Sequence, residues 1–126
     1  MKSKMVLAAV FVLLLCLVSA FAADITGKWT AVIKTPIGDM NYTFDFKVEG
    51  EKLTGKAAMT MGGESSESVL TEGSVKGDEV TFVETLNAQG QELRCEYKGK
   101  ISGNEIRGSR NVGSFGSEEF VASRAK

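Results

Sequence analysis

The sequence contains no histidine, one tryptophan, one proline and two cysteines. Without histidine it lacks the commonest general base, the usual zinc ligand and the side chain that most often changes charge near neutral pH. No phosphate-binding glycine loop or cluster of metal-ligating side chains is recognisable either. We therefore expect no enzymatic activity, no cofactor and no bound metal.

Only the first 23 residues carry a long apolar run. Two lysines precede an unbroken apolar stretch at residues 5–18, and the small-residue triplet Ala20-Phe21-Ala22 follows it. An apolar core shorter than about 20 residues after basic residues is typical of a secretory signal peptide, not of a membrane span. We predict that residues 1–23 are a cleaved signal peptide and that residues 24–126 are one domain, secreted to the periplasm or outside the cell.

Loss of the signal peptide changes the cysteine count and the charge. It removes Cys16 and two lysines, so Cys95 stands alone and 13 basic residues are left against 16 acidic ones. Cys95 shares the apolar strand phase of Leu93 and Tyr97, which predicts a buried, inert thiol. A mildly acidic domain without a basic run offers phosphates no obvious site, so we expect no nucleic-acid partner. We also expect no stable membrane insertion once the signal peptide has been removed.

A hairpin motif recurs at spacings of 27 and 26 residues, in the segments VEGEKLTG from Val48, VKGDEVTF from Val75 and ISGNEIRG from Ile101. Each contains glycine followed by an acidic residue or asparagine, as a two-residue type II′ turn requires, because its first central residue needs a positive φ. Each segment is predicted to be a β-hairpin tip. The predicted inward pairs are Val48 with Leu53, Val75 with Val80, and Ile101 with Ile106.

Three hairpins supply six strands, and two more flank them at residues 25–35 and 117–124, with Trp29 and Phe120 facing inward. Evenly spaced strands without helical periodicity predict a closed sheet. We predict an all-β fold, an eight-stranded antiparallel up-and-down barrel, with a β-sandwich as the alternative. The tips form a tight rim, and longer loops are expected to form a loose rim at residues 35–40, 61–66, 87–91 and 112–117.

The tripeptide Gly27-Lys28-Trp29 near the start of the first strand, with Arg124 near the end of the last, resembles the signature of the calycin group, which includes lipocalins and avidins. Leu53-Thr54-Gly55 after a hairpin tip is similar to avidins. The chain also looks like small secreted bacterial lipocalin-like β-barrel proteins, found alone or appended to secreted hydrolases. The resemblance implies that Trp29 and Arg124 form a structural plug at the closed end. Avidins line their biotin site with several tryptophans, so biotin is not the expected ligand.

Counting back from the tips in steps of two predicts layers of inward side chains. The first layer has aromatic rings opposite glycines, including Phe46 opposite Gly55 and Phe82 opposite Gly73, which predicts a filled closed end. The next layer is polar. It places Thr71 opposite Glu84 and Tyr97 opposite Arg110.

This polar layer leaves two hypotheses open. A buried carboxylate and guanidinium need partners, so Glu84 and Arg110 would form an ion pair supported by the neighbouring hydroxyls. Alternatively, the layer binds a polar head group, and inward side chains nearer the loose rim, among them Tyr42 and Met59, form apolar walls for a tail. No second carboxylate shares the layer, so no catalytic residue is predicted. The candidate ligand-binding residues are Thr71, Glu84, Tyr97, Arg110, Tyr42 and Met59.

We expect, first, a secreted non-catalytic binding protein that holds a small amphipathic or sugar-like ligand in the barrel. One alternative is a protease-inhibitor or protein-interaction module, because some calycin-like barrels inhibit proteases through an N-terminal segment, here residues 24–26. Another, which rests on the resemblance alone, is an accessory protein of secreted polysaccharide-degrading enzymes. The partner would be a small molecule or a secreted protein.

Overall fold

A computed structural model describes residues 23–88 and 90–125, which form nine β-strands and no helix. The predicted signal peptide at residues 1–23 lies, apart from Ala23, outside the described residues. The strands are β1 (Gly27–Thr35), β2 (Gly38–Glu49), β3 (Lys52–Met61), β4 (Glu64–Val69), β5 (Thr71–Lys76), β6 (Glu79–Ala88), β7 (Gln91–Ser102), β8 (Glu105–Val112) and β9 (Ser117–Arg124).

The strands form one closed antiparallel barrel with eight positions in its wall. Each position pairs with its neighbours in chain order, and β1 pairs with β9 to close the sheet. There are nine strands in eight positions because β4 and β5 are successive parts of one predicted strand, and both pair with β3. The predicted up-and-down barrel is confirmed, and the alternative sandwich is wrong.

The three hairpin tips have the predicted geometry and register. Gly50, Gly77 and Gly103 have φ angles of 63°, 61° and 60°, while the residue after each keeps a negative φ, which defines type II′ turns. All three predicted inward pairs lie directly opposite one another. We call the end of the barrel that carries these tips the closed end.

The opposite end is less loose than predicted. Strands continue almost to the turns at residues 36–37 and 62–63, and β7 begins three residues after the end of β6. Among the described connections at this end, only residues 113–116 form a longer loop. At residues 62–63 both glycines have positive φ, the type I′ combination that continues strand twist through a two-residue turn. We call this end the open end, because inward-facing side chains there are partly exposed.

The predicted fourth strand is interrupted at Leu70. Glu72 has a φ of 51°, and the β5–β6 register shifts between Thr71 and Ser74. Thr71 therefore lies opposite Val83, not Glu84, and is exposed. The prediction that Thr71 faces the barrel interior is wrong.

Gly73 explains part of this irregularity. It lies opposite Leu53 of β3, where an added Cβ would clash with the Leu53 carbonyl oxygen. The predicted pairing of Gly73 with Phe82 is absent from the described β5–β6 ladder. Gly73 thus allows β5 to approach β3 closely. The other predicted pair, Phe46 with Gly55, is confirmed.

Aromatic rings fill the closed half of the barrel. Phe46 contacts Phe82 edge to face with centroids 5.4 Å apart, and Phe44 stacks on Phe46 at 5.5 Å. The Trp29 indole nitrogen donates to the Ile25 carbonyl oxygen at 2.9 Å. These rings are buried almost completely, as the predicted filled end requires. Cys95 is also buried, as predicted.

Candidate functional site

Four side chains from four different strands meet inside the barrel above the aromatic layer. They are Tyr42 of β2, Glu84 of β6, Tyr97 of β7 and Arg110 of β8, and we call them the belt. The Tyr42 and Tyr97 hydroxyls donate to Glu84 Oε1 at 3.0 and 2.7 Å. Each hydroxyl oxygen also accepts from Arg110 Nη1 at 2.8 Å. The two tyrosines therefore bridge the carboxylate and the guanidinium.

Strand alternation and ring packing position the belt hydroxyls. Tyr42 follows the inward phase of β2 and stacks on Phe44 with centroids 5.1 Å apart. Tyr97 stacks on Phe82 at 4.4 Å. The aromatic layer thus holds both tyrosine rings so that their hydroxyl groups reach the Glu84 carboxylate.

Arg110 has a second acidic partner in Glu118 of β9, directly opposite it in the ladder. Glu118 Oε1 accepts from Arg110 Nε at 2.9 Å and lies 2.8 Å from Nη2, whereas Arg110 Nη1 is 3.5 Å from Glu84 Oε1. Sequence reasoning did not single out Glu118, and the expectation that no second carboxylate shares this layer is wrong. The signal was present, because Glu118 shares the strand phase of the inward Phe120.

The belt is sealed from solvent, since Glu84 and Arg110 are each 1% exposed. Burial raises the pKa of the Glu84 carboxyl above its ordinary value, although Tyr97, Tyr42 and Arg110 act in the opposite direction. Burial also raises the pKa of Tyr97, so both belt hydroxyls stay protonated and can donate. Among the described residues, every buried side-chain nitrogen and oxygen has a hydrogen-bond partner. The structural ion-pair hypothesis therefore accounts for the belt without a ligand.

Above the belt, the open end is lined by apolar side chains. Leu93 and Phe115 both approach Gly113, and Met61 approaches Gly38 in the neighbouring turn region. Ile37 and Phe115 are 84% and 78% exposed, whereas the other apolar side chains at this end are partly buried. We call this set the open-end patch: Ile37, Met59, Met61, Leu86, Leu93, Val112 and Phe115.

The candidate site residues thus fall into three groups. Glu84, Tyr97, Arg110 and Tyr42 meet in the belt, with Tyr42 at belt level and not above it as predicted. Met59 lies in the open-end patch. Thr71 is on the outside of the wall and joins neither group.

The predicted plug residues meet at the closed end. Arg124 Cζ lies 4.6 Å from the Trp29 ring centroid. Arg124 also donates to the carbonyl oxygens of Thr26 and Asp24 at 3.0 and 3.2 Å. Residues 24–26, the segment considered for protease inhibition, are therefore held against the barrel by Arg124, and Ile25 among them is buried.

The part of the chain that the structure describes holds no group of three acidic or cysteine side chains arranged to bind a metal ion. Neither the known protein-family models nor the curated protein sequences give a match to this chain. Its class is therefore defined by its own fold, a small closed antiparallel β-barrel with a buried polar belt.

Proposed function

We propose that the protein is a secreted, non-catalytic, lipocalin-like binding protein that holds the apolar part of a small amphipathic ligand at the open end of its barrel. The observation that carries this proposal is the open-end patch. Single exposed apolar residues are ordinary, but a group of them above a partly buried apolar floor is typical of a binding surface. The strongest exposure is that of Ile37 and Phe115.

The belt supports a shallow position for the ligand. Its polar atoms already bond one another, so a ligand that entered to their level would have to break the Glu84 and Arg110 contacts. Breaking a buried ion pair is costly. The ligand therefore lies above the belt, against Leu86 and Leu93, with the methionines adapting to its shape.

The chemistry of the open end favours an amphipathic ligand over a sugar. The patch offers apolar contacts, whereas the belt donors that a sugar would need are already engaged. Glu64 and Glu92 are exposed near this end, so a neutral or cationic head group fits better than an anionic one.

Secretion belongs to the same proposal. It is supported by the basic and apolar pattern of residues 1–23. The contact of Trp29 with Arg124 supports the lipocalin-like assignment, since the calycin resemblance implies that contact. N-terminal sequencing of the exported protein should start at residue 23 or 24, and an intact N-terminus would contradict cleavage.

Fluorescence titration with N-phenyl-1-naphthylamine, an uncharged apolar probe, tests ligand binding. We expect enhanced, blue-shifted emission that a monoacylglycerol displaces. Phe115→Ser and Leu93→Ser should each weaken binding by at least about fivefold, because each removes apolar contact area. Val32→Ser is the matched control, since Val32 is 51% exposed on the outer wall. Equal affinities in all variants, or no enhancement, would contradict the proposal.

A further inference from the structure

Main-chain pairing is interrupted between β4 and the upper part of β6, although the two strands approach each other where the Ser68 side chain lies near the Glu84 carboxyl. Within the described residues β4 pairs only with β3, and β6 beyond Val83 pairs only with β7. Ser66 lies opposite Met59, on the inward phase of β4, yet it is exposed. This interruption, bounded by residues 64–69 and 84–88, is called the wall gap.

Both edges of the wall gap present unpaired main-chain groups. Met61 and Glu64 flank a two-residue turn and therefore exchange both hydrogen bonds, and this pattern alternates along an antiparallel pair. The same alternation applies to β6 from its turn with β7. The residues whose N–H and C=O groups face the gap are Ser65, Glu67 and Val69 of β4, and Thr85 and Asn87 of β6.

We propose that the wall gap binds an extended, cationic segment of another polypeptide, which adds to β4 as a strand. An unpaired strand edge recognises a peptide through main-chain hydrogen bonds, and alternate side chains provide specificity. The edge has neither proline nor lysine, two residues that commonly protect exposed strands from pairing. Val69, at the end of this edge, is 67% exposed.

Charge selects a cationic segment. Glu64, Glu67 and Glu92 are exposed around the gap. Lys56 lies 3.8 Å from Glu67, and both side chains are more than 60% exposed, so this pair neutralises the edge only weakly. A second copy of the chain fits less well, because antiparallel pairing of two β4 strands about Glu67 would place like charges opposite each other.

A capped eight-residue peptide of alternating lysine and valine tests the proposal on the full secreted protein. Its control is the same peptide N-methylated at every second amide, which keeps the charge and removes strand donors. We expect the unmethylated peptide to bind at least tenfold more tightly, measured by calorimetry. Amide hydrogen exchange should show protection of Ser65, Glu67 and Val69 only with that peptide. Equal affinities would mean charge attraction alone and would overturn strand addition.

Two variants at one position separate hydrogen bonding from charge. Glu67→Pro removes an N–H that faces the gap and leaves the donors of the β3–β4 ladder in place. It should weaken peptide binding at least tenfold, whereas Glu67→Gln should weaken it two- to threefold. Neither variant should change naphthylamine binding at the open-end patch. If Glu67→Pro does not fold, the comparison of the unmethylated and N-methylated peptides on the unaltered protein still distinguishes strand addition from charge attraction.

Two outcomes without peptide would also overturn the proposal. If the amides of Ser65 and Glu67 are already protected in the monomer, β4 and β6 pair directly and the gap is closed. If those amides become protected as a dimer forms in sedimentation experiments, the occupant is a second copy of the chain. Fast exchange in a monomer, followed by protection on adding peptide, is the expected result.

Discussion

Arg124 lies over the Trp29 indole, with Cζ 4.6 Å from the ring centroid, and the two residues are directly opposite in the β1–β9 ladder. The same guanidinium donates to the Thr26 carbonyl oxygen at 3.0 Å and to Asn104 Oδ1 at 3.2 Å. One side chain therefore joins the N-terminal segment, the last strand and the β7–β8 turn at the place where the barrel closes.

Arg124→Ala should destabilise the fold by about 2–3 kcal/mol, through loss of the cation–π contact and of charged hydrogen bonds. Urea unfolding followed by Trp29 fluorescence measures this change. Arg107→Ala is the control, because Arg107 is an exposed arginine paired with Glu105 on the outer wall, and it should change stability by less than about 0.5 kcal/mol. Equal effects of the two substitutions would contradict the closure role of Arg124.

The belt predicts strong coupling between Glu84 and Arg110. Arg110→Met leaves buried Glu84 without its cation and should cost about 3–5 kcal/mol. Adding Glu84→Leu removes that uncompensated carboxylate, so the double variant should recover at least about 1 kcal/mol relative to the sum of the single changes. A double-mutant cycle in urea measures the coupling, and additive effects would show that the pair does not act as a unit.

The Glu84 carboxyl predicts a specific dependence of stability on pH. Because burial raises its folded pKa above the ordinary 4.5, the folded protein binds this proton more tightly than the unfolded chain. The contribution of Glu84 to the free energy of unfolding should therefore fall as pH rises from about 4.5 through the folded pKa, and then level off.

The check on this dependence is the unfolding free energy of the wild type minus that of Glu84→Gln, measured from pH 4 to pH 8. This difference should decrease with rising pH. Glu119→Gln, a change on the exposed outer face of β9, serves as the surface control. An increase with pH for Glu84→Gln would mean that Arg110 outweighs burial.

Glu72 combines an unfavourable backbone conformation with a bidentate ion pair. Its φ is 51°, and Arg94 Nη1 and Nη2 donate to its two carboxylate oxygens at 2.6 and 3.0 Å. Glu72→Gly loses the ion pair with Arg94 but removes the strain of a positive φ, because glycine adopts this conformation freely. Glu72→Ala loses the ion pair and keeps the strain. The glycine variant should therefore have the higher urea midpoint. A lower midpoint for glycine would show that the strain is absent.

Residues near a turn were the most predictable part of this fold. The pairings of Val48 with Leu53 and of Ile101 with Ile106 follow from a two-residue loop and strand alternation, both of which are local. The break at Leu70 is different. It depends on how closely Gly73 approaches the backbone of β3, and this contact between distant segments leaves no local pattern.

The belt, too, was predictable only where its residues lie a few positions from a turn. Tyr97 opposite Arg110 follows from the tip at Gly103, and the structure confirms it. Thr71 was misplaced because the register shift lies between it and the tip at Gly77. Tyr42 was predicted to face inward but not to join the belt, because barrel shear displaces strands by an amount that counting from the tips does not include.

Both ends of the described chain lie at the closed end. The Ala23 amide donates to the Gly77 carbonyl oxygen at 3.0 Å, and the Ala125 amide donates to that of Lys28 at 2.8 Å. A linker, a surface or a neighbouring domain attached at either point would hold the barrel by its sealed base. The open-end patch and the wall gap would then face away from the attachment point. Immobilisation through either terminus therefore leaves both surfaces free for contact.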